Sequence, residues 1–304
     1  MSSIVRARGL TKRYPGVTAL DAVDLDLPAG RVGLVGANGA GKTTLFRLLL
    51  GLSQPDAGTV EVVGVDVAAD PIGARKRIGY MPEHDRLPLD QTAADVVATL
   101  GELGGLPVRA ARQRASEVLD LVGLDEARFR PVGGFSTGMR QRTKLAQAIV
   151  ADPQLVLLDE PTAGLDPSGR EEMLALVDRL GTFGIAVVLA THLLDDVARV
   201  CDHVVMLDAG RLVTDSPTET LLHQTGTLTV DVGPTAAPAL TAALTARGLQ
   251  VTADGSGTLE VTVTGDDDLD AIRDVVADLG LPLHRLTNRL TSLDEVLPRE
   301  APVQ

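Results

Sequence analysis

The residues from Gly36 to Thr44 have the types and the spacing of a phosphate-binding loop. Their sequence, Gly-Ala-Asn-Gly-Ala-Gly-Lys-Thr-Thr, fits the pattern G-x-x-x-x-G-K-[ST]. An apolar run, Val32–Val35, precedes the loop, and a helical run, Thr44–Leu50, follows it, as this motif requires. Glycines let the loop N–H groups turn towards an anion, and the helix N-terminus adds partial positive charge. Lys42 can then reach the β- and γ-phosphates of a nucleotide, and the Thr43 hydroxyl can hold Mg²⁺.

Two acidic residues at the end of an apolar run form a second candidate element. The run Leu155–Leu158 is continuous, as is typical of a buried parallel strand. Ligands of open α/β sheets bind at the carboxyl ends of the strands, so Asp159 can hold Mg²⁺ and Glu160 can orient the attacking water. Because many apolar strands end in acidic residues, this interpretation depends on the phosphate loop being present as well.

Strands alternate with helices along the part of the chain that carries these motifs. Apolar runs at Ile78–Met81 and Ile185–Ala190 predict further strands, and residues 92–151 have a mainly helical pattern. Ser168 is predicted to cap the helix that follows it. Residues 4–35 predict short strands separated by turns. The alternation as a whole predicts an α/β fold with a parallel sheet that helices cover on both faces.

The composition argues against several classes of protein. The formal net charge is −13, whereas a nucleic-acid partner demands a basic surface. The single cysteine, Cys201, cannot form an internal disulfide, and we expect it to pack as a small apolar residue in a reducing compartment. Basic residues interrupt the N-terminus, so we expect no signal peptide. The run Ile185–Ala190 is far shorter than the ~20 residues of a membrane span.

The last part of the chain has a different character. Residues 216–304 carry 5 basic and 13 acidic side chains, against 23 and 28 in the preceding part, which indicates a domain boundary. From residue 226 the pattern is strand, helix, strand, strand, helix, strand, with a hairpin turn at Asp254–Gly257. This order predicts a small α+β domain with a ferredoxin-like arrangement. The acidic run Asp266–Asp268 favours a helix start rather than a metal site.

Six motifs in order resemble those of the ATP-binding cassette (ABC) ATPase family. They are the phosphate loop, Ile78–Glu83, Phe135–Arg142, the strand through Thr162, Gly164–Pro167 and Ala190–His192. The resemblance covers residues 4–220. It implies a P-loop NTPase cassette over residues 1–222, with a mixed sheet, a helical subdomain and an N-terminal antiparallel subdomain, followed by the accessory domain over residues 226–304.

The resemblance also implies roles for individual residues. The nucleotide would be bound by Tyr14, Gly36, Asn38, Gly39, Ala40, Gly41, Lys42, Thr43, Thr44, Ser136, Gly138 and Asp166. Catalysis would fall to Glu160, His192 and Lys42, and Mg²⁺ to Thr43, Asp159 and Glu83. Tyr14 would stack on the adenine, and Ser136 and Gly138 would touch the γ-phosphate of ATP held by another copy. Asp166 would lie between the copies, and His192 would sense the loss of the γ-phosphate.

Two departures from the usual family pattern point to one branch of the family. Thr137 replaces a glycine of the usual L-S-G-G-Q signature, and Glu83 stands where most relatives have glutamine. Both variants resemble those of the branch that powers drug, lipid and polysaccharide exporters. The segment Thr291–Leu297 also resembles the tail of those ATPases, although a capped amphipathic helix would have the same pattern.

The resemblance implies an ATP-hydrolysing motor subunit of an ABC transporter, more specifically of an exporter. Two copies would pair around ATP, a separate transmembrane permease would bind them, and the subunit would lie peripherally at the cytoplasmic face of the membrane. The alternative is a soluble ABC ATPase that acts in translation or on DNA, which the acidic charge and the single phosphate loop disfavour. A metabolic nucleotide enzyme would leave Ser136, Asp166 and His192 unexplained.

Three roles are open for the C-terminal domain. It could help dimerisation, gate the motor by binding a small ligand, or dock the partner protein.

Overall fold

The computed structural model describes residues 3–84, 87–224 and 227–289. The described residues form two compact units, one ending at Ser216 and the other beginning at Pro217. In chain order, the first unit contains β1 (Ser3–Tyr14), β2 (Val17–Pro28), β3 (Arg31–Val35), α1 (Lys42–Leu49), β4 (Ala57–Val62), β5 (Val65–Asp66), α2 (Pro71–Arg75), β6 (Ile78–Met81), α3 (Ala93–Leu103), α4 (Val108–Leu121), α5 (Thr137–Ile149), β7 (Leu155–Asp159), α6 (Pro167–Thr182), β8 (Ala186–Thr191), α7 (Leu194–Val200), β9 (His203–Asp208) and β10 (Arg211–Pro217).

The N-terminal strands form an antiparallel sheet in the order β2-β1-β4-β5. The prediction of short strands was wrong here, because β1 and β2 are 12 residues each and form one long hairpin. Their pairing register shifts at several points, for instance between Ala7 and Leu10, and Gly9 has a left-handed φ of +55°. Such irregularities interrupt the alternation of apolar and polar residues, so the sequence shows fragments of each strand.

The central sheet has six strands in the order β10-β9-β3-β8-β7-β6. Strands β3, β6, β7, β8 and β9 pair in parallel, as the alternation predicted. In this register Val35 lies opposite Thr191, and Asp159 lies opposite Ala190. The carboxyl ends of β3, β7 and β8 therefore meet at one edge, where the phosphate loop, Glu160 and His192 follow directly.

The core between the two sheets is aliphatic, with few aromatic rings. Leu25, Leu34, Val188 and Leu157 are buried in one cluster with Phe46 of α1. The Phe46 ring meets the Tyr80 ring edge-to-face, with the centroids 6.2 Å apart. Cys201 is buried, as expected, and burial raises the pKa of its thiol to about 12. The thiol is therefore unreactive at neutral pH.

Helix α6 begins two residues earlier than the sequence predicted. Asp166, not Ser168, caps it, because the Asp166 Oδ1 accepts a hydrogen bond of 3.0 Å from the Gly169 N–H. Pro167 occupies the first helical position, where an N–H group would have no hydrogen-bond partner within the helix, so proline is tolerated there. Helix α7 and strands β9 and β10 occupy residues 193–217, for which the sequence predicted no elements.

The second unit contains α8 (Thr218–Gln224), β11 (Thr227–Asp231), α9 (Ala237–Ala246), β12 (Gln250–Ala253), β13 (Thr258–Thr262), α10 (Asp266–Asp278) and β14 (Arg285–Arg289). Its strands form an antiparallel sheet in the order β12-β13-β11-β14. A separate apolar cluster joins the sheet to α9 and α10, with Val230, Leu240, Val261 and Val275 among its members. The acidic run at residue 266 begins α10, and the family-like tail at residues 291–297 lies outside the described residues.

The close packing of α5 on β6 predicts a large effect of a single methyl group. A Cβ at Gly79 would lie 1.9 Å from the main-chain oxygen of Ala148 in α5. We expect Gly79→Ala to destabilise the protein by about 1–3 kcal/mol, because neither backbone can retreat without repacking the core. Thermal unfolding followed by circular dichroism measures the shift of the midpoint. Gly134→Ala is the matched control, since a Cβ there would meet open space. Equal midpoints for the two variants would contradict the prediction.

Candidate functional site

The phosphate loop joins β3 to α1 in the geometry that anion binding requires. The loop turns through Gly39 and Gly41, both with left-handed φ angles, and Gly41 caps α1. A Cβ at Gly41 would lie 2.6 Å from the Ala19 carbonyl oxygen, so no larger residue fits. Asn38 and Gly39 are exposed at the tip, whereas Ala40 is buried. The free N–H groups at the start of α1 are thus available to an anion.

Lys42 is buried with its ammonium group turned back along the loop. Its side chain is 7% exposed, and its Nζ donates hydrogen bonds to the main-chain oxygens of Gly36 (2.5 Å) and Ala37 (3.3 Å). The Glu160 Oε1 lies 3.9 Å from the Nζ. Burial lowers the pKa of Lys42, although nearby carboxylates, that of Glu160 foremost, act in the opposite direction. An anion bound in the loop would give this buried ammonium group a further partner of opposite charge.

Asp159 occupies the last position of β7 and is almost fully buried. Burial raises the pKa of Asp159, and the carboxylates of Glu83 and Glu160 raise it further. The Tyr80 hydroxyl donates a hydrogen bond of 3.4 Å to Asp159 Oδ2, and burial together with this carboxylate raises the pKa of Tyr80 to about 12. The carboxylates of Glu83 and Glu160 are thus near enough to affect Asp159, so this edge of the sheet carries negative charge.

Glu160 and His192 form a contact at the ends of two neighbouring strands. The Nδ1 of His192 lies 3.1 Å from each carboxylate oxygen of Glu160. Glu160 is buried and has a φ of +48°, which is uncommon for a residue other than glycine. Its N–H donates a hydrogen bond of 2.9 Å to the Ala190 oxygen on β8. The side chain of His192 is half exposed, so it can meet a ligand from outside.

One cavity joins most of the residues that the sequence assigned to the nucleotide and the metal. It is lined by Ala19, Ala37, Asn38, Gly39, Gly41, Lys42, Thr43, Thr44, Glu83, Asp159 and Glu160. Tyr14, Gly36, Ala40 and His192 are not among these lining residues. The Tyr14 hydroxyl lies near Arg47 and Thr44 of α1 and near Ser53 beyond that helix, and these side chains outweigh the effect of burial and lower the pKa of Tyr14. Its ring lies under the Lys12 ammonium, 5.6 Å from the ring centroid.

Ser136, Gly138 and Asp166 line a second cavity together, with none of the phosphate-loop residues among its walls. Ser136 caps α5, since its Oγ accepts a hydrogen bond of 3.3 Å from the Met139 N–H. Asp166 caps α6 beside it, and both capping residues are exposed. The predicted site residues are therefore divided into two groups within one copy of the chain.

Two residues that were not predicted from the sequence contact residues that line the first cavity or the segment that carries them. Tyr80 contacts Asp159, as described above. Lys144 of α5 is buried, and its Nζ donates hydrogen bonds to the main-chain oxygens of Pro82 (3.0 Å) and Glu83 (2.8 Å). Lys144 was detectable as a charged residue on the buried side of an amphipathic helix, whereas no sequence signal joins Tyr80 to Asp159.

No group of three or more His, Cys, Asp or Glu side chains in residues 3–84, 87–224 and 227–289 has an arrangement that could hold a metal ion. Mg²⁺ is commonly held by one or two protein side chains together with phosphate oxygens, so the sparse donor set of Thr43, Asp159 and Glu83 fits a metal that arrives with a nucleotide. None of the helices in the same ranges is long and apolar enough to cross a membrane.

Comparisons with known proteins agree with this geometry. The profile of the family described as ABC transporter matches residues 20–163. The chain is 37% identical over 293 residues to the daunorubicin resistance ATP-binding protein DrrA3 of Streptomyces coeruleorubidus, covering 95% of this chain and 92% of that protein. It is 35% identical over 254 residues to the Nod factor export ATP-binding protein I of Ralstonia nicotianae, covering 83% and 79%.

The fold has solved counterparts as well. The structure of cbiO1 from Clostridium perfringens, described as part of the ABC transporter complex cbiONQ, superimposes with a TM-score of 0.67 at 26% identity, over 73% of this chain and 91% of that one. The chain therefore belongs to the ABC transporter family, as an ATP-binding subunit. Like the other ATPases of this family it binds and hydrolyses ATP, and it is a motor subunit of a transporter.

The crowding of carboxylates predicts that neutralising Asp159 stabilises the nucleotide-free protein. The raised pKa means that the folded state disfavours the ionised form of Asp159. The ionised carboxylate therefore lowers the free energy of unfolding at a pH above the pKa of Asp159 in the folded state. This loss of stability disappears as the pH falls below the pKa of Asp159 in the unfolded state. We expect Asp159→Asn to raise the thermal midpoint at pH 7, and the gain to shrink as the pH is lowered towards 4.

Asp56→Asn serves as the control for this measurement. A hydrogen bond from the Arg13 N–H lowers the pKa of Asp56, so its ionised form is favoured in the folded state. Asp56→Asn should therefore lower the midpoint at pH 7, or leave it unchanged. A lower midpoint for Asp159→Asn at pH 7 would contradict the interpretation of the carboxylate cluster.

Proposed function

We propose that Glu160 is the general base for ATP hydrolysis and that Lys42 and His192 stabilise the charge of the γ-phosphate. The observation that carries this proposal is the position of the Glu160 carboxylate, 3.9 Å from the Lys42 ammonium and 3.1 Å from the His192 ring. A γ-phosphate bound by Lys42 would lie within reach of both other groups. Phosphoryl transfer asks little covalent chemistry of the protein, so positioning and charge stabilisation carry most of the rate.

Nucleotide binding is proposed for Tyr14, which would stack on the adenine, and for the predicted residues of the phosphate loop: Gly36, Asn38, Gly39, Ala40, Gly41, Lys42, Thr43 and Thr44. Thr43 and Asp159 would hold Mg²⁺, with Glu83 beside them. The ion would neutralise phosphate charge when bound. The raised pKa of Asp159 supports this role, because a bound cation would favour the ionised form of this buried carboxyl group.

The working unit would be a pair of copies with two shared ATP sites. Ser136, Gly138 and Asp166 lie together, yet they line a different cavity from the phosphate loop. A second copy that turned its Ser136 towards the phosphate loop of the first would complete both sites by two-fold symmetry. The exposed N-terminus of α5 supports this, since it offers a hydroxyl and free N–H groups to an anion. Cleavage of ATP would remove the bridging anion and let the copies separate.

The permease is proposed to be a separate chain, with this subunit bound peripherally at the cytoplasmic face of the membrane. The similarity to ATP-binding proteins named for daunorubicin resistance and Nod factor export supports export as the direction. The candidate docking surface lies between Glu83 and Ala127. It exposes apolar side chains on α3 and beside it, notably Leu103 (79% exposed), Leu89 and Val108.

The C-terminal accessory domain is proposed to be ferredoxin-like and to span residues 226–304, after a nucleotide-binding domain over residues 1–222. The element order β-α-β-β-α-β and the antiparallel strand order β12-β13-β11-β14 support this assignment. Such folds serve many functions, so the topology alone assigns no role to the domain.

Glu160→Gln tests the assignment of the base. The amide keeps the size of the side chain but cannot take a proton, so the variant should bind ATP normally while its kcat falls by at least about 100-fold. ATP-bound dimers should accumulate, because the bridging phosphate is no longer removed. Steady-state ATPase assays and size-exclusion chromatography with Mg²⁺ and ATP measure the two effects.

Lys42→Ala is the comparison variant, since it should lose ATP affinity itself. Nucleotide binding by isothermal titration calorimetry separates the two defects. Unimpaired hydrolysis by Glu160→Gln would refute the base, and a strictly monomeric Glu160→Gln variant at saturating Mg²⁺ and ATP would refute the paired mechanism.

Leu103→Glu tests the docking surface. A charge at this exposed apolar position should reduce co-purification of the permease by about tenfold or more, because it would be buried without a partner in the interface. The ATPase activity of the isolated subunit should stay unchanged. Phe183→Glu is the control, since Phe183 is an exposed apolar residue (58%) that lies after α6, outside the proposed surface. Equal recovery with both variants would contradict the surface.

A further inference from the structure

A carboxylate with no exposed surface joins three segments of the nucleotide-binding unit. Asp196 of α7 is 0% exposed. Its Oδ2 accepts a hydrogen bond of 2.6 Å from the Thr162 hydroxyl, and its Oδ1 accepts one of 2.5 Å from the Arg170 Nε. Thr162 is buried too, whereas Arg170 is partly exposed. Charge-assisted hydrogen bonds of this kind are strong and fix their partners in orientation.

Each member of this triad lies close in sequence to a residue of the proposed ATP site. Thr162 follows Glu160 by two positions, within a turn in which the Ala163 N–H donates to the Glu160 oxygen at 3.1 Å. Arg170 lies in the first turn of α6, and its N–H donates to the Asp166 oxygen at 2.9 Å.

Asp196 itself follows His192 by four positions. The buried carboxylate of Asp196 is therefore connected, through the triad and the chain, to the proposed base Glu160, to His192 and to the proposed interface residue Asp166.

We propose that Asp196 is a positioning residue that couples the hydrolytic groups of one ATP site to Asp166, and through it to the second copy. The inference rests on the proposed function, because it needs the paired arrangement. A shift of Glu160 or His192 on loss of the γ-phosphate would move Thr162 or α7, and the shared carboxylate passes that movement to the start of α6. Rigid hydrogen-bonded contacts transmit such shifts, since packed interiors deform little.

Simple attachment of α7 to α6 does not explain the triad. An exposed ion pair between Arg199 and Glu171 already joins the same two helices, with a contact of 2.8 Å. A buried ion pair is a weak source of stability, because desolvation offsets much of its attraction. Only the buried pair reaches Thr162, and Thr162 is the member that connects the helices to the segment after Glu160.

The test compares variants of the buried triad in the Glu160→Gln background, which keeps ATP intact. Thr162→Val removes the hydroxyl without changing the size of the side chain, and Thr162→Ser retains the hydroxyl. Arg170→Met removes the second donor, and Arg199→Met is the matched control in the exposed pair. For each variant, the affinity of the monomer for ATP is measured without Mg²⁺, and the ATP concentration that half-saturates dimer formation is measured with Mg²⁺.

Thr162→Val and Arg170→Met should leave the monomer affinity within about twofold, yet raise the half-saturating ATP concentration by about tenfold. Thr162→Ser and Arg199→Met should behave as the parent. A purely structural role would instead lower the monomer affinity and the dimerisation together, or neither.

Two outcomes distinguish a failure of the proposed pairing from a failure of the proposed coupling. A parent Glu160→Gln protein that does not dimerise would contradict the paired mechanism and the coupling role with it. A parent that dimerises, with Thr162→Val dimerising at the same ATP concentration, would overturn the coupling role alone.

Discussion

The burial of opposite charges at one edge of a parallel sheet is the constraint on which the site depends. Lys42 and Glu160 lie 3.9 Å apart, and both are removed from water, as is Asp159. The pKa of Lys42 is lowered and that of Asp159 is raised, each mainly by burial, so both groups are pushed towards their neutral forms. Desolvated charges are stabilised only by complete sets of partners. A polyphosphate and a divalent cation would complete both sets, in agreement with the ATP site that we propose at this position.

Strand register is what holds these charges at such short range. Val35 opposite Thr191 and Asp159 opposite Ala190 align the ends of β3, β7 and β8, so that the groups following them converge. A slip by one residue would turn every side chain to the other face of the sheet. The buried aliphatic residues on both faces resist such a slip, and they do so without tryptophan and with only four phenylalanines.

One strained backbone position lies where the proposed chemistry takes place. Glu160 has a left-handed φ, and its N–H is fixed to β8. Residues held in sparsely populated backbone conformations persist only where their surroundings determine them, and they often belong to functional sites. The hydrogen-bonded triad of Thr162, Arg170 and Asp196 provides such surroundings on the far side of Glu160. In the proposed coupling, this strained turn and the buried triad would shift together when the γ-phosphate leaves the cavity.

Contiguous motifs were recognisable because their chemistry depends on neighbouring residues. Local spacing was enough to predict the phosphate loop, the acidic end of β7 and the helical pattern of residues 92–151. The order of the motifs along the chain was enough to identify the family. Two other features were not predicted correctly from the sequence. The bulged hairpin of β1 and β2 appeared as fragments, and Asp166 rather than Ser168 caps α6. In the hairpin, register shifts interrupted the periodicity on which the prediction relied, whereas at α6 two residues that commonly cap helices lie two positions apart.

By itself, the sequence determined that this chain carries a phosphate loop, an acidic strand end and the other motifs of an ABC ATPase, because those signals lie within runs of a few residues. Only the tertiary structure decided which distant groups meet. Tyr80 reaches Asp159 across 79 positions, and Asp196 reaches Thr162 and Arg170 across 34 and 26. Such contacts are set by sheet register and helix packing, which no local spacing encodes, since each side chain finds its partner only after the core has closed around it.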